Sequence, residues 1–348
     1  MSQAGNFFED FRVGQELRHA PPRTLTEADA TLYAALYGPR FPLHCARTFA
    51  RKLGLRDSPI DDWLVFHVVF GKSVPDVSLN AVANLGYAGG VFGVPVFPGD
   101  TVSARSTVIG LKENSNRKTG VVWVRTVGTN QDGSMVADYT RWVMVRKRDE
   151  KSPAPSPQTP DLPAAVPAAQ LTVPEKLNLG GYDTGISGEA RLWDDFAVGE
   201  KIDHADGTTI EEAEHMMATR LYHNTARVHF NQHAEKSGRF GRRIVYGGHI
   251  ISIARALSFN GLANAFRIAA LNAGAHVAPT FAGDTIYAWS EILEKIALPG
   301  RADAGALRVR TIAVKDRACS DFPARAGDGY DPAVVLDLDY TILMPRRH

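Results

Sequence analysis

The sequence predicts an α+β fold built from two tandem copies of one domain. Each copy reads as an antiparallel sheet wrapped on a central helix, and the two pair as a pseudo-dimer. Three observations carry this. Asp10-Phe11-Arg12-Val13-Gly14 recurs as Asp195-Phe196-Ala197-Val198-Gly199, an offset of 185. The same offset pairs Glu27 with Glu212, Leu36-Tyr37 with Leu221-Tyr222, His44 with His229, and Val124-Arg125-Thr126-Val127 with Val309-Arg310-Thr311-Ile312. A period this long marks a duplicated domain, not a solenoid repeat of about 20–50 residues. Second, each copy has one long apolar helical stretch followed by strand-like runs. Third, a proline-rich connector separates the copies, which places the domains at 1–148 and 191–348 and the linker at 149–190.

The elements follow in order. A strand-like opening segment ends at Val13-Gly14 and again at Val198-Gly199. Thr26-Glu27-Ala28-Asp29 has the Thr-before-acidic signature of a helix N-terminus, and Tyr33, Leu36 and Tyr37 recur at helical spacing. Its counterpart runs from Ile210-Glu211-Glu212 through Met216 and Met217 to Leu221. A longer apolar helix is expected over 63–74 and over 249–257, with His67 and His249 aligned near its start at an offset of 182. Strands follow at 102–109, 121–129 and 136–145, and at 285–293, 306–314 and 334–344, split by Gly and Asn turns. Gly99-Asp100-Thr101 and Gly283-Asp284-Thr285 enter equivalent strands, where Asp100 and Asp284 read as turn formers. Copy two adds a Gly/Pro/Asp-rich insertion over 319–332. Prolines 153, 155, 157, 160, 163, 167 and 174 make the connector an extended spacer long enough to cross a domain face. A sheet of about five strands per copy has open edges that pairing between copies would cover.

Composition excludes several classes. The chain has 348 residues, 44% hydrophobic and 22% charged, with a net charge of +1, so no electrostatic case exists for nucleic acid. The first residues show no basic segment followed by an apolar one, and no stretch approaches the roughly 20 apolar residues of a bilayer span. Cys45 and Cys319 can form neither a disulfide framework nor a metal cluster. The expectation is a cytoplasmic protein with no membrane or nucleic-acid partner.

Copy two holds the densest polar cluster: Tyr222-His223-Asn224-Thr225-Ala226-Arg227-Val228-His229, then Asn231, His233 and Ala234, then Arg239-Phe240-Gly241-Arg242-Arg243-Ile244-Val245-Tyr246-Gly247-Gly248-His249. This layout resembles the MaoC-like (hydratase 2) family of hotdog-fold enoyl-CoA hydratases. There, too, an aromatic residue and a Gly-Asp precede a His, followed by an Arg-Phe-Gly stretch and an Ile-x-x-Gly turn opening the central helix. The opening Asp-Phe-x-Val-Gly and the Gly-Asp-Thr extend the likeness to both copies. Counting back from His229, the family's catalytic Asp position holds Asn224 and its Gly position holds His223; copy one has Pro39 and Gly38 before His44. With these departures the tandem layout is most similar to the mesaconyl-CoA hydratase (β-methylmalyl-CoA dehydratase) subgroup. The resemblance implies a double hotdog, a CoA thioester substrate and reversible hydration of mesaconyl-CoA to β-methylmalyl-CoA. Copy two would do the chemistry and copy one, with its degenerate motif, would shape the acyl pocket. An (R)-specific hydratase for straight-chain enoyl-CoA, a thioesterase and a non-catalytic acyl-CoA binder are the alternatives.

Adding water to an enoyl thioester needs a base, a proton for the α-carbon and donors for the enolate oxygen. A neutral imidazole suits the first role, which goes to His229. Backbone N–H groups at a helix N-terminus suit the last, and Gly247 and Gly248 have no side chain to keep a carbonyl away. Asn224 cannot exchange protons at neutral pH but its amide can position the water. The α-carbon proton would then return from His229. Arg239, Arg242 and Arg243 could meet CoA phosphates, Arg227 a substrate carboxylate (Arg40 lies within the His segment of copy one), and Tyr246 and His249 border the substrate. The bland readings are a solvated basic turn for the three arginines, an inter-copy salt bridge for Arg227, and capping or packing for His44, His67 and His249. His229 and His233 stand four apart, but Phe230-Asn231-Gln232 lacks a zinc-protease Glu, so neither metal nor cofactor is expected. Cys45, next to His44, is not a convincing nucleophile without a base arranged for it. A homo-oligomer, most simply a dimer, is expected.

Overall fold

A computed structural model describes residues 5–347. The first half contains β1 (Glu16–Thr24), α1 (Glu27–Tyr37), α2 (Pro42–Cys45), α3 (Arg47–Lys52), α4 (Asp62–Ser73), β2 (Ala81–Phe92), β3 (Thr101–Glu113), β4 (Thr119–Thr129) and β5 (Met135–Arg146). The second contains β6 (Lys201–Asp203), β7 (Thr208–Thr209), α5 (Glu212–Leu221), α6 (Gln232–Glu235), α7 (Gly247–Leu257), α8 (Phe259–Leu262), β8 (Arg267–His276), β9 (Thr285–Ala297), β10 (Ala304–Lys315), a small hairpin β11 (Arg325–Ala326) and β12 (Gly329–Tyr330), and β13 (Val334–Pro345).

One eleven-stranded sheet unites the halves in the order β1-β3-β4-β5-β2-β8-β13-β10-β9-β6, with β7 also beside β9. The order is palindromic about the β2–β8 junction, where Tyr87 lies opposite Gly274 and Val91 opposite Ala270. The two halves are therefore a pseudo-dimer fused through one antiparallel strand pair. These junction strands carry no β-branched alternation and were not legible as strands. β8 is buried continuously from Arg267 to Asn272, because helices cover one face and the connector the other. On that outer face Pro163 packs at Gly89, the Val166 N–H donates to Asn272 Oδ1 (2.9 Å), and Gln158 pairs with Leu111.

The two central helices, α4 and α7, lie in the concave face of the sheet. Every residue of α4 is buried, as expected of a helix apolar all round. Thr26 caps α1 through a reciprocal box with Asp29, as its sequence signature predicts. Two expectations need correction. The opening segments are not strands: Asp10 and Asp195 carboxylates accept from the N–H groups of Phe7 and Leu192 and close short 3-10 turns, so each strand starts after its Val-Gly turn. Nor do His67 and His249 correspond. α4 and α7 start at Asp62 and Gly247, so the offset of 185 persists and pairs His67 with Ser252. Those two are hydrogen-bonded at 3.2 Å across the pseudo-two-fold axis.

Candidate active site

α5 ends at Leu221, and Tyr222 then anchors the loop that carries the polar cluster. The chain turns at His223 with φ +54°, the left-handed conformation that favours glycine; copy one places Gly38 there with φ +60°. The family's Gly position is thus a backbone requirement that His223 meets at some strain. Asn224 is buried, and its Oδ1 accepts from the Ala226 N–H at 2.9 Å, holding the turn. Among the described residues, its amide Nδ2 has no protein acceptor. The loop closes on a single 3-10 turn, Arg227–His229.

His229 donates through Nδ1–H to the Ile244 carbonyl at 3.0 Å. That bond fixes the tautomer and leaves Nε2 with its lone pair. The ring stands 5.5 Å from the Tyr246 ring, immediately before α7. Burial by the pocket walls pushes the His229 pKa down to about 4, more than the Ile244 bond raises it, and His215 lowers it further. The imidazole is therefore neutral at physiological pH.

Gly247 and Gly248 are the first two residues of α7, where N–H groups have no intrahelical acceptor, and Tyr246 offers no side-chain cap. A Cβ on Gly247 would run into the His276 ring, and one on Gly248 into Tyr246 and His67. His276, at the end of β8, accepts or donates to the Tyr87 hydroxyl at 3.2 Å. Burial, then His229, lowers its pKa to about 4. Sequence reasoning missed His276 and Tyr87, which meet here because β2 and β8 pair, and it read His67 of α4 as capping or packing.

A cavity of about 470 Å³ opens between the halves beside this loop. Asn224, Thr225 and Phe230 form one wall, Met216 and Arg220 of α5 another, and Gly71, Lys72 and Pro75 the third. Lys72 and Arg220 are the cationic residues of its lining, and His223 also borders it. Burial, then Arg23, lowers the Lys72 pKa to about 8. A second cavity of about 330 Å³, bordered by Gly38, Arg40, Ala256 and Asn260, is its pseudo-symmetric mate. There the site is closed off. His44 makes the same bond to Pro59 that His229 makes to Ile244, 3.0 Å long. But Asp62 stands where Gly247 would be, buried against Arg267 at 3.4 Å and accepting from the Ile268 N–H. Arg40 meets Asn260 and stacks on Phe259.

The remaining candidates are placed as follows. Arg227, Arg239 and Arg242 are exposed; Arg239 covers Phe240 and Arg242 covers Phe281. Arg243 pairs with Glu212 and touches Sδ of Met216, a cavity wall. His249 is buried with Nδ1 hydrogen-bonded to the Tyr37 hydroxyl at 2.7 Å, facing the pseudo-axis.

Comparison with known proteins agrees with this arrangement. Residues 1–327 match the family described as Mesaconyl-CoA hydratase. The chain is 66% identical over 344 residues to the β-methylmalyl-CoA dehydratase of Chloroflexus aurantiacus, covering 99% of this chain and 98% of that protein. It is 57% identical to the mesaconyl-CoA hydratase of Cereibacter sphaeroides, covering 99% of each. A crystal structure of a MaoC domain protein from Chloroflexus aurantiacus superposes with a TM-score of 0.98 at 65% identity, covering 100% and 99% of the two chains. A Mycobacterium tuberculosis protein with a double hotdog fold superposes with a TM-score of 0.79 at 25% identity, covering 99% and 100%.

Proposed function

The chain belongs to the mesaconyl-CoA hydratase family, and from that premise we propose that it reversibly hydrates mesaconyl-CoA to β-methylmalyl-CoA. The observation that carries the mechanism is the His229 Nδ1–H bond to Ile244, which leaves the Nε2 lone pair free, with the ring 5.5 Å from Tyr246 at the open start of α7. In this reading the thioester carbonyl rests on those N–H groups, where the helix terminus favours the enolate oxygen. His229 Nε2 takes a proton from water held by the Asn224 amide, and the water oxygen bonds the β-carbon. The π electrons move to the enolate, and the α-carbon then takes its proton from the His229 imidazolium. Burial serves both steps: it keeps the base neutral, and it makes the imidazolium acidic enough to give the proton back.

The pantetheine arm would enter through the cavity beside Asn224, with Arg220, Lys72 and the Arg239–Arg242–Arg243 loop near its phosphates. Copy one contributes walls and no chemistry, because Asp62 and Arg267 occupy the place of its oxyanion site. No helix among the described residues is long and apolar enough to cross a membrane. We place the enzyme in the cytoplasm as a homo-oligomer, since β1 and β6 leave both sheet edges unpaired within the chain.

Mass-spectrometric turnover of mesaconyl-CoA, with crotonyl-CoA alongside, tests the reading. Gain of one water on mesaconyl-CoA is expected. No added water on either thioester would overturn the hydratase assignment and leave an acyl-CoA binder; free CoA would indicate a thioesterase. Asn224→Asp separately tests the amide's role: an unchanged rate and pH profile would remove Asn224 from the mechanism.

A further inference from the structure

Three arginines are fully buried among the described residues: Arg141, Arg255 and Arg267. Arg267 is paired with Asp62, and Arg255 feels Asp61 and Asp62. Arg141, on β5, has no carboxylate. Its Nη2 donates to Ser73 Oγ at 2.8 Å and more weakly to Ser78, its plane covers the Phe70 ring at 4.2 Å, and its Nε has no acceptor. A buried guanidinium without an anion is costly, so its persistence points to an anion that arrives. It is not a feature of the repeat. Val124 lies opposite Arg141 and Val309 opposite Tyr340, so the equivalent place in copy two holds Tyr340.

The neighbourhood is unsatisfied as well. The Tyr139 and Tyr246 hydroxyls are buried without hydrogen-bond partners, and Tyr87, Tyr139 and Tyr246 are the ionisable groups Arg141 senses. This cluster adjoins the reacting groups by two routes. Phe70, under Arg141, lies 5.6 Å from the Tyr246 ring, which lies 5.5 Å from His229. Tyr87 is hydrogen-bonded to His276, which covers Gly247.

We propose that Arg141, with the hydroxyls of Tyr139 and Tyr246, is the site for the free carboxylate of the substrate's acyl group. The inference rests on the hydratase reading and gives it a specificity determinant. In a mesaconyl thioester the carboxylate sits on the carbon that receives water. Its binder must therefore lie in the buried end of the site close to His229, where exposed Arg227 is not. A carboxylate here completes the guanidinium's bonds; a methyl group leaves them open, which is how a polar site rejects an apolar analogue.

The test is calorimetric binding to full-length protein in a His229→Ala background, so that no turnover intervenes. Mesaconyl-CoA is compared with tiglyl-CoA, the same skeleton with methyl in place of carboxylate. Arg141→Met should weaken mesaconyl-CoA binding by about 100-fold or more while leaving tiglyl-CoA within a few-fold. Arg141→Lys, which keeps the buried charge but loses the fork, should recover part of the preference and serves if the Met variant does not fold. Equal weakening of both ligands, or of neither, overturns the proposal. If the wild type fails to hydrate mesaconyl-CoA yet this discrimination holds, the proposed reaction falls and the carboxylate site stands.

Discussion

Tyr37 and Tyr222, counterparts in the two copies, hydrogen-bond to each other at 2.6 Å on the pseudo-two-fold axis. Tyr222 donates to Tyr37, and Tyr37 in turn meets His249 Nδ1 at 2.7 Å. Ser252 joins the group through Tyr33 and His67. The helix that carries the candidate oxyanion site is thus tied to copy one by buried polar bonds.

Removing one link should therefore cost stability before it costs chemistry. Tyr37→Phe leaves buried His249 Nδ1 without its partner and the Tyr222 hydroxyl with only the longer Ser252 contact at 3.4 Å, worth about 1–3 kcal/mol. Urea unfolding should show that loss while kcat on mesaconyl-CoA changes less than about five-fold. A kcat loss matching that of His229→Ala would instead put Tyr37 in the proton path.

The same geometry gives His44 and His229 different fates. Both are held by a 3.0 Å bond to a carbonyl fifteen residues on, but the helix that follows starts at Gly247 in copy two and at Asp62 in copy one. His229→Ala should lower kcat by about 10²–10⁴-fold, the usual range for a general base. His44→Ala should keep kcat within about two-fold. Comparable losses in both variants would mean that copy one is catalytic too.

How much of this was readable in the sequence depended on whether the signal was local. The repeat, the Thr26 cap, the His229 loop and the Gly247-Gly248 turn are local patterns, and the structure brings His229, Tyr246 and the two glycines together. The junction strands were missed because β8 is buried continuously from Arg267 to Asn272 and loses its alternation, while β2, Ala81–Phe92, is rich in Ala and Gly in place of β-branched residues. His276 and Tyr87 went with them, since only strand pairing brings them to Gly247. Arg141 had a signal that went unused: it stands on the inward face of β5 between Tyr139 and Val143, where a charge is out of place. Arg227, two residues from His229 in the sequence, is exposed in the structure.

Gly247 tests whether the helix terminus must stay bare. A Cβ there collides with the His276 ring and shields the N–H groups. Gly247→Ala should lower kcat on mesaconyl-CoA by at least about 10²-fold, the magnitude of losing one oxyanion donor, with the circular dichroism spectrum unchanged. Near-normal kcat would move the oxyanion site elsewhere.

The buried histidines fix the sign of the acid response. His67, His204 and His249 are at most 1% exposed, and burial lowers their pKa values to about 3, 4 and 3 from 6.5. Between pH 6.5 and about 4 the unfolded chain binds protons that the native state refuses. Stability therefore rises with pH across that window and is lost as pH falls through it. Moving from pH 7 to pH 5 should cost on the order of 2 kcal/mol per histidine, seen as a lower urea midpoint. Activity should behave differently, because the proposed base, His229, has its pKa lowered to about 4 and stays neutral across this window. In a short assay after a pH jump, before unfolding is measurable by fluorescence, kcat/KM at pH 5.5 should stay within about two-fold of its value at pH 7.5. A descending limb near 6.5 would show an imidazole open to water and would sink the half-buried His229 as the base.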